Sequence, residues 1–311
     1  MLTENHYLKS KIGVPIEIYR IILKYGHNAV SEHRMLGYCA KEVQTLDRDR
    51  FLMTLLAPAH ARDALFTLYA FNLEIAKIRE SVSEPILAEM RFQWWRDAID
   101  GIYNGAPPQH PVVQPLHDVI YKFNLKRERF ELLINARAID IATSPPSTLA
   151  QFMQYGSDTT TPLVFLALEI LGPVDESLRS IAQCAATAWA VTGLLRALPY
   201  NLRHRRNYLP TEMMAEYELD LNAVAELRPS RELARLVQSV SNTACSNLNF
   251  VRKGRGAIHR KHLTPLLIAP LAQQYNRRFA RANYNIFDPT FAEAPPLRAW
   301  PLILSVLLGR V

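Results

Sequence analysis

Residues 66–97, FTLYAFNLEIAKIRESVSEPILAEMRFQWWRD, constrain the fold of this chain more than any other stretch. Phe66, Tyr69, Ala70, Leu73 and Ala76/Lys77 recur at three-and-four spacing, the period of one helix face. Pro85 suits the first turn of a second helix, where its fixed φ fits and its missing N–H would go unbonded anyway, with Ser83 or Glu84 just before it. Met90, Trp94, Trp95 and Ile99 predict the heavy face of that second helix. On the first helix Ala76 and Glu80, four apart, share one side.

The same periodicity fills the rest of the chain, and strand-like alternation is scarce. Only 11 of 311 residues are glycine, and Ala, Leu, Arg and Glu recur in long periodic segments, which predicts an all-α fold. With 49% hydrophobic residues the chain can bury a sizeable core. A helix is expected from Tyr38 through CAKEVQ, with the charges of LDRDRF (46–51) capping or linking helices and an apolar run ending at Pro58. NGAPPQHP (104–111) reads as a loop. Helices then fit 112–123, 127–141 and 147–172, the last ended by Gly172-Pro173. ESLRSIAQCAATAWAVTGLLRAL (176–198) predicts a helix buried all round and stopped by Pro199, followed by a basic connector at 201–210. Further helices are expected near 212–217, 230–253 and 262–281, with a tail from 285. No internal repeat interrupts this pattern, so one domain from about residue 34 to 311 is the simplest account. Residues 1–33 read as a separate leader, and Glu4 and Glu17 favour an accessory helix over an Arg-rich targeting segment.

Lys+Arg 36 against Asp+Glu 29 gives a net charge of +7, an excess that suits acidic lipid or diphosphate partners. Nucleic acid is excluded as a partner class by the lack of zinc-ligand spacing, a basic-zipper region or an aromatic RNA-binding signature. Cys39, Cys184 and Cys245 lie far apart, which suggests a reducing compartment and no disulfide framework. No apolar run reaches the ~18 residues of a membrane span, so a peripheral contact is the membrane mode expected. No Ser/His/Asp, Cys/His or glycine-rich phosphate loop stands out, and the nine histidines show no paired ligand spacing.

LYAFNLEIAKIRESV resembles the first signature of the squalene/phytoene synthase family, and GLLRALPYNLRHRRNYLP (193–210) resembles the second. YGSDTTTPLVFLALEILG (155–172) is similar to the helix between them, so the resemblance runs from about Tyr38 to residue 285. It implies an isoprenoid-synthase-like helical bundle with a central cavity. In active members each signature carries an Asp-x-x-x-Asp pair. Carboxylates four apart on facing helices hold Mg²⁺, which binds the substrate diphosphate and helps it leave. Here the first pair falls on Ala76 and Glu80 and the second on Ala197 and Asn201. Alanine cannot ligate a metal, and Asn201 offers a neutral oxygen. Leu73 stands where an arginine is usual, and Glu74 adds an acid beside it. Glu74 and Glu80 are therefore the weak candidates for a metal, with Mg²⁺ implied as cofactor only if the chain is catalytic.

AFNLEIAKIRESVSE, MRFQWW, LEILG, LRALPY and NYNIFDP resemble a divergent branch of the family. That branch holds the phytoene-synthase-like assembly factor of mitochondrial complex I and its alphaproteobacterial relatives. The resemblance implies a non-catalytic role with a complex I subunit or assembly intermediate, on the matrix side of the inner membrane or at its bacterial counterpart. The alternative is an Mg-dependent prenyl transferase that joins two prenyl diphosphates.

The binding candidates are Arg196, Arg203, Arg205, Arg206, Tyr208 and Asp158. The Arg203–Arg206 run either holds a diphosphate, an anionic or prenyl lipid, or an acidic partner, or is a solvated face. Arg196 sits on an apolar helix and needs a partner, since an unpaired charge there is costly. Asp158, with Thr159–Thr161, either lines the cavity or caps a helix. Glu74, Glu80, Asp97 and Asp100 also read as solvated acids, and Trp94 and Trp95 as core.

Overall fold

The computed structural model describes residues 37–82, 84–141, 144–292 and 299–311. The leader at 1–33 therefore lies outside the described residues. Every regular element among those described is helical, as the periodicity predicts. In chain order they are α1 (Tyr38–Leu46), α2 (Arg48–Leu55), α3 (Ala59–Ser81), α4 (Pro85–Tyr103), α5 (Val113–Phe123), α6 (Arg127–Ala138), α7 (Leu149–Asp158), α8 (Thr161–Leu171) and α9 (Glu176–Arg203). They continue as α10 (Thr211–Glu216), α11 (Leu221–Ala225), α12 (Arg231–Gly254), α13 (Leu263–Leu266), α14 (Ile268–Arg281) and α15 (Ala299–Leu308).

Side-chain oxygens fix several starts. Asp175 accepts from the Leu178 N–H at 2.8 Å, Thr148 from Gln151 at 3.1 Å and Ser230 from Leu233 at 3.1 Å. Each satisfies one of the orphan donors of a helix N-terminus. Pro85 occupies the first turn of α4, as its φ demands.

Prolines explain two of three boundaries that differ from the sequence expectation. Residues 147–172 form two helices, because Pro162 lacks an N–H and its ring clashes with the carbonyl four residues back, so α7 ends at Asp158. Residues 262–281 divide in the same way at Leu267, because Pro270, in the first turn of α14, cannot bond back to the Leu266 carbonyl, while Pro265 lies within the short α13. Pro199, expected to stop α9, lies inside it, and the helix runs on to Arg203. An interior proline costs about 3 kcal/mol. Burial of Leu198 and Leu202 on the flanking turn offsets it, at about 1.5–3 kcal/mol per side chain. Two helices were not expected at all: the short α11, and α15 within the tail.

The bundle has two cores. One gathers Leu195, Leu236, Val240, Leu266 and Leu271, where α9 packs along α12 and α14. The other gathers Leu65, Phe71, Phe92, Ile99, Leu116 and Phe130, where α3 is wrapped by α4, α5, α6 and α8. α8 is apolar except for Glu169, which Arg129 meets at 2.8 Å, and serves both cores: Val164 and Leu168 face the first, Leu163, Leu166 and Ile170 the second.

On α4 the buried face is Ala88, Phe92, Trp95 and Ile99; Met90 and Trp94 are exposed, contrary to the heavy face read from sequence. The error is one of phase, since Phe92 and Trp95 rather than Met90 and Trp94 face the ring of Phe71 or lie beside it. All three cysteines are free; Cys39 is buried, and Cys184 and Cys245 are half-buried. Among the described residues α9 alone has the length and hydropathy of a membrane span, and 56% of its apolar window is buried inside the protein.

Candidate functional site

α3 and α9 face each other across a cavity of about 650 Å³. Ala76 and Glu80 lie on one wall and Ala197 and Asn201 on the other, so the four signature positions do meet in space. This places α9 differently from the sequence expectation. It is buried against α12 and α14, but Ala190, Gly193, Leu194, Arg196 and Ala197 form an open wall. Small residues on that wall leave room that longer side chains would fill.

The cavity is rich in arginine. Arg48, Arg50, Arg79, Arg137, Arg196 and Arg206 line it against Asp47, Asp49, Glu80 and Asp140, an excess of two positive charges. Three of the four acids are already tied to arginine. Arg50 meets Asp47 at 2.6 Å, Arg196 meets Asp49 at 3.5 Å, and Arg137 meets Asp140 at 3.7 Å. Arg196 thus has the partner its setting requires, and its guanidinium also lies 4.4 Å from the centre of the Tyr275 ring. Tyr275 donates to the same carboxylate at 3.3 Å.

At the other end Asp140 is the hub. Tyr155 donates to its Oδ1 at 2.5 Å and Tyr208 to the same oxygen at 3.2 Å. Arg79 Nε donates to the Asp140 carbonyl at 3.1 Å, and Arg206 Nη2 to the Arg79 carbonyl at 3.2 Å. Burial, together with the nearby Asp140 carboxylate, pushes the Tyr208 phenol up to about 12. Burial raises Tyr155 well above the ordinary phenol range as well, so both stay neutral donors. Burial opposes the charge on Arg137, but the oxygens of Tyr155, Asp140 and Tyr208 outweigh it and hold its pKa up.

Other expected residues lie elsewhere. Glu74 is turned away from the cavity, where Lys77 bridges it at 3.1 Å and Glu42 at 3.3 Å. Asp158 ends α7, accepts from Gln154 Nε2 at 2.7 Å and is not part of the cavity wall; neither the lining nor the N-cap reading holds for it. Thr159 and Thr160 reach the cavity instead. The basic run is divided: Arg206 turns into the cavity, while Arg203, His204 and Arg205 stay exposed. The turn is made by Arg205, whose φ of 56° ends the helix in the left-handed region.

The donor set does not fit Mg²⁺. That ion demands near-octahedral oxygen ligands with carboxylates among them. Of the signature positions only Glu80 offers a carboxylate, and the remaining cavity acids are engaged by arginines. No group of three or more His, Cys, Asp or Glu among the described residues is placed to hold a metal ion.

The profile of the squalene/phytoene synthase family matches residues 43–300. The chain belongs to the squalene/phytoene synthase family. The fold agrees: a dehydrosqualene synthase solved with ligand superimposes with a TM-score of 0.77 at 16% identity, over 95% of this chain and 99% of that one. Among curated proteins, NADH dehydrogenase (ubiquinone) complex I, assembly factor 6 from Bos taurus is 28% identical over 253 residues, 81% of this chain and 76% of the relative. A presqualene diphosphate synthase from Rhodopseudomonas palustris is also 28% identical, over 51% of this chain and 57% of its own length.

The family's second signature pointed to Arg196, Arg206 and Tyr208. Asp49, Arg79, Arg137 and Asp140 were missed. Arg79 carried a usable signal, since it stands three residues from Ala76 on one helix. Arg137 and Asp140 carried none, because they reach the cavity only through the packing of α6 against α3 and α7.

Proposed function

We propose that this protein assists assembly of respiratory complex I and does not itself join prenyl groups. One observation carries the reading: a family cavity whose signature positions hold Ala76, Glu80, Ala197 and Asn201, in a chain that aligns with complex I assembly factors over most of its length. The partner is a complex I subunit or assembly intermediate. The site of action is the matrix face of the inner membrane or, in a bacterium, the cytoplasmic face of its membrane. Exposed Arg203, His204 and Arg205 offer a salt-sensitive contact to an anionic lipid surface or an acidic partner segment. Deletion of the gene in its own organism tests the proposal. Loss of assembled complex I on a native gel, restored by the wild-type chain, supports it; normal complex I after deletion refutes it.

A second reading, an Mg-dependent prenyl transferase, is favoured by the alignment with presqualene diphosphate synthases. It predicts condensation products from prenyl diphosphates in a purified assay.

A further inference from the structure

We propose that the end of the bundle where α9 begins is a docking face for an anionic membrane surface. The exposed stripe of α15 enters the headgroup layer, and the basic segment after α12 lies against it. This deepens the membrane placement proposed above and rests on that placement, not on the complex I role.

The sequence gathers cations here. VRKGRGAIHRKH (251–262) carries Arg252, Lys253, Arg255, Arg260 and Lys261, all exposed, and Arg310 is exposed just after α15. None of these cations forms an ion pair among the described residues. The fold brings them to one end. A Cβ on Gly254 would lie 2.8 Å from Ile181 Cδ1, so α12 ends beside the first turns of α9. A Cβ on Gly172 would lie 3.0 Å from Lys261 Nζ, which puts that lysine over the end of α8. Arg260 Nη2 donates to the Val306 carbonyl at 3.1 Å, and its stem lies against Gly309, whose φ of 67° ends α15. Asp175 and Glu176 start α9 at the same end, and the cations outnumber them six to two.

The apolar part adjoins the cations. Leu302 and Ile303 are buried where α15 packs on α14. Trp300, Leu304, Leu307 and Leu308 share the other face at four-and-three spacing and are between 39% and 53% exposed. α15 has 10 residues, against the about 20 that a span needs, so it suits lying on a membrane rather than crossing one. A half-exposed helix face is a ridge. A fluid headgroup layer closes around a ridge, whereas a protein partner must supply a matching groove. Trp and Leu on one face with Lys and Arg at its edge is the chemistry that holds a helix at an anionic interface. The geometry also separates this face from Arg203–Arg205. α9 has 28 residues, a length of about 40 Å at about 1.5 Å per residue, and the two basic patches stand at its opposite ends. A flat membrane meeting the bundle end-on reaches one of them. The apolar stripe selects this one and leaves Arg203–Arg205 for an acidic partner segment.

The test is co-sedimentation of the full-length protein with vesicles of pure phosphatidylcholine, and of phosphatidylcholine and phosphatidylglycerol in equal parts, at low and high salt. Binding is expected with the mixed vesicles alone and is expected to weaken in high salt. The triple substitution Arg252→Glu, Lys253→Glu and Arg255→Glu, checked for an intact melting transition, is expected to weaken it about a hundredfold or more. Leu304→Ser with Leu308→Ser keeps every cation and is expected to weaken it about tenfold. Arg203→Glu with Arg205→Glu is expected to leave it unchanged. Equal binding to both vesicle types overturns the proposal. So do binding to neither, affinity unchanged in both patch variants, and a loss that follows Arg203 and Arg205 instead. A wild-type dimer by light scattering that the leucine variant turns into a monomer assigns the stripe to a second copy. Tight binding of polyglutamate without vesicle binding assigns the cations to an acidic protein, and either result overturns the membrane. Loss of complex I on deletion with no vesicle binding refutes this face and leaves the assembly reading standing; vesicle binding with normal complex I does the reverse.

Discussion

Arg196 shows how a single side chain joins the two halves of the bundle. It stands on α9, bonds Asp49 of α2 and covers the ring of Tyr275 from α14. Asp49 is buried and Arg196 is more than a third exposed, so solvent discounts the pair. Arg196→Ala should cost about 1–2 kcal/mol, read as a lower urea midpoint with unchanged slope, while Arg196→Lys should lose less. His262 is a second case. Its ring is 1% exposed, and burial, aided by the charge of Lys261, lowers its pKa. The folded protein therefore keeps it neutral, while the unfolded chain takes up a proton as pH falls through about 6.5. Its stability contribution is present above that value and is lost as pH falls toward and through the lowered folded pKa. The urea midpoint should drop from about pH 7.5 to about pH 5, and His262→Gln should make that drop smaller.

Helix ends carry much of the specificity at the scale of elements. Gly101 lies near the end of α4, where the chain folds back so that the Ala106 N–H bonds its carbonyl at 2.8 Å. A Cβ at Gly101 would meet the Ala106 carbonyl oxygen at 2.7 Å, backbone that cannot swing aside. Gly101→Ala should cost about 1–3 kcal/mol by forcing that turn open, read as a lower melting temperature. Most of the elements were legible in the sequence because apolar periodicity and proline positions act locally. α3, α4 and α12 follow from them directly. The run through Pro199 was not legible, because its cost is offset by Leu198 and Leu202, whose burial depends on distant chain. Likewise the facing of Ala76 and Ala197 followed from the two family signatures, whereas the Arg79–Arg137–Asp140 cluster depends on how four helices pack.

At the scale of the whole molecule, the family scaffold is retained while its means of ionising a diphosphate is reduced. Departure of an allylic diphosphate builds negative charge, which a metal ion with several fixed oxygen ligands neutralises well. α3 offers Glu80, and the facing α9 offers a methyl group at Ala197 and a buried amide at Asn201. Purified protein given prenyl diphosphates with Mg²⁺ or Mn²⁺ should therefore release no squalene or phytoene by mass spectrometry. The geometry also predicts what would return the metal. Ala76→Asp with Ala197→Asp would place new carboxylates on both walls beside Glu80, four apart on α3 and opposite on α9. That double variant should bind Mn²⁺ measurably tighter than the wild type by calorimetry, since two facing helices then share the ligands. Product formation by the wild-type chain would end the non-catalytic reading. Equal Mn²⁺ affinity in the two proteins would overturn this expectation, since the two added carboxylates cancel the cavity's excess of two positive charges and leave no net charge to exclude the cation.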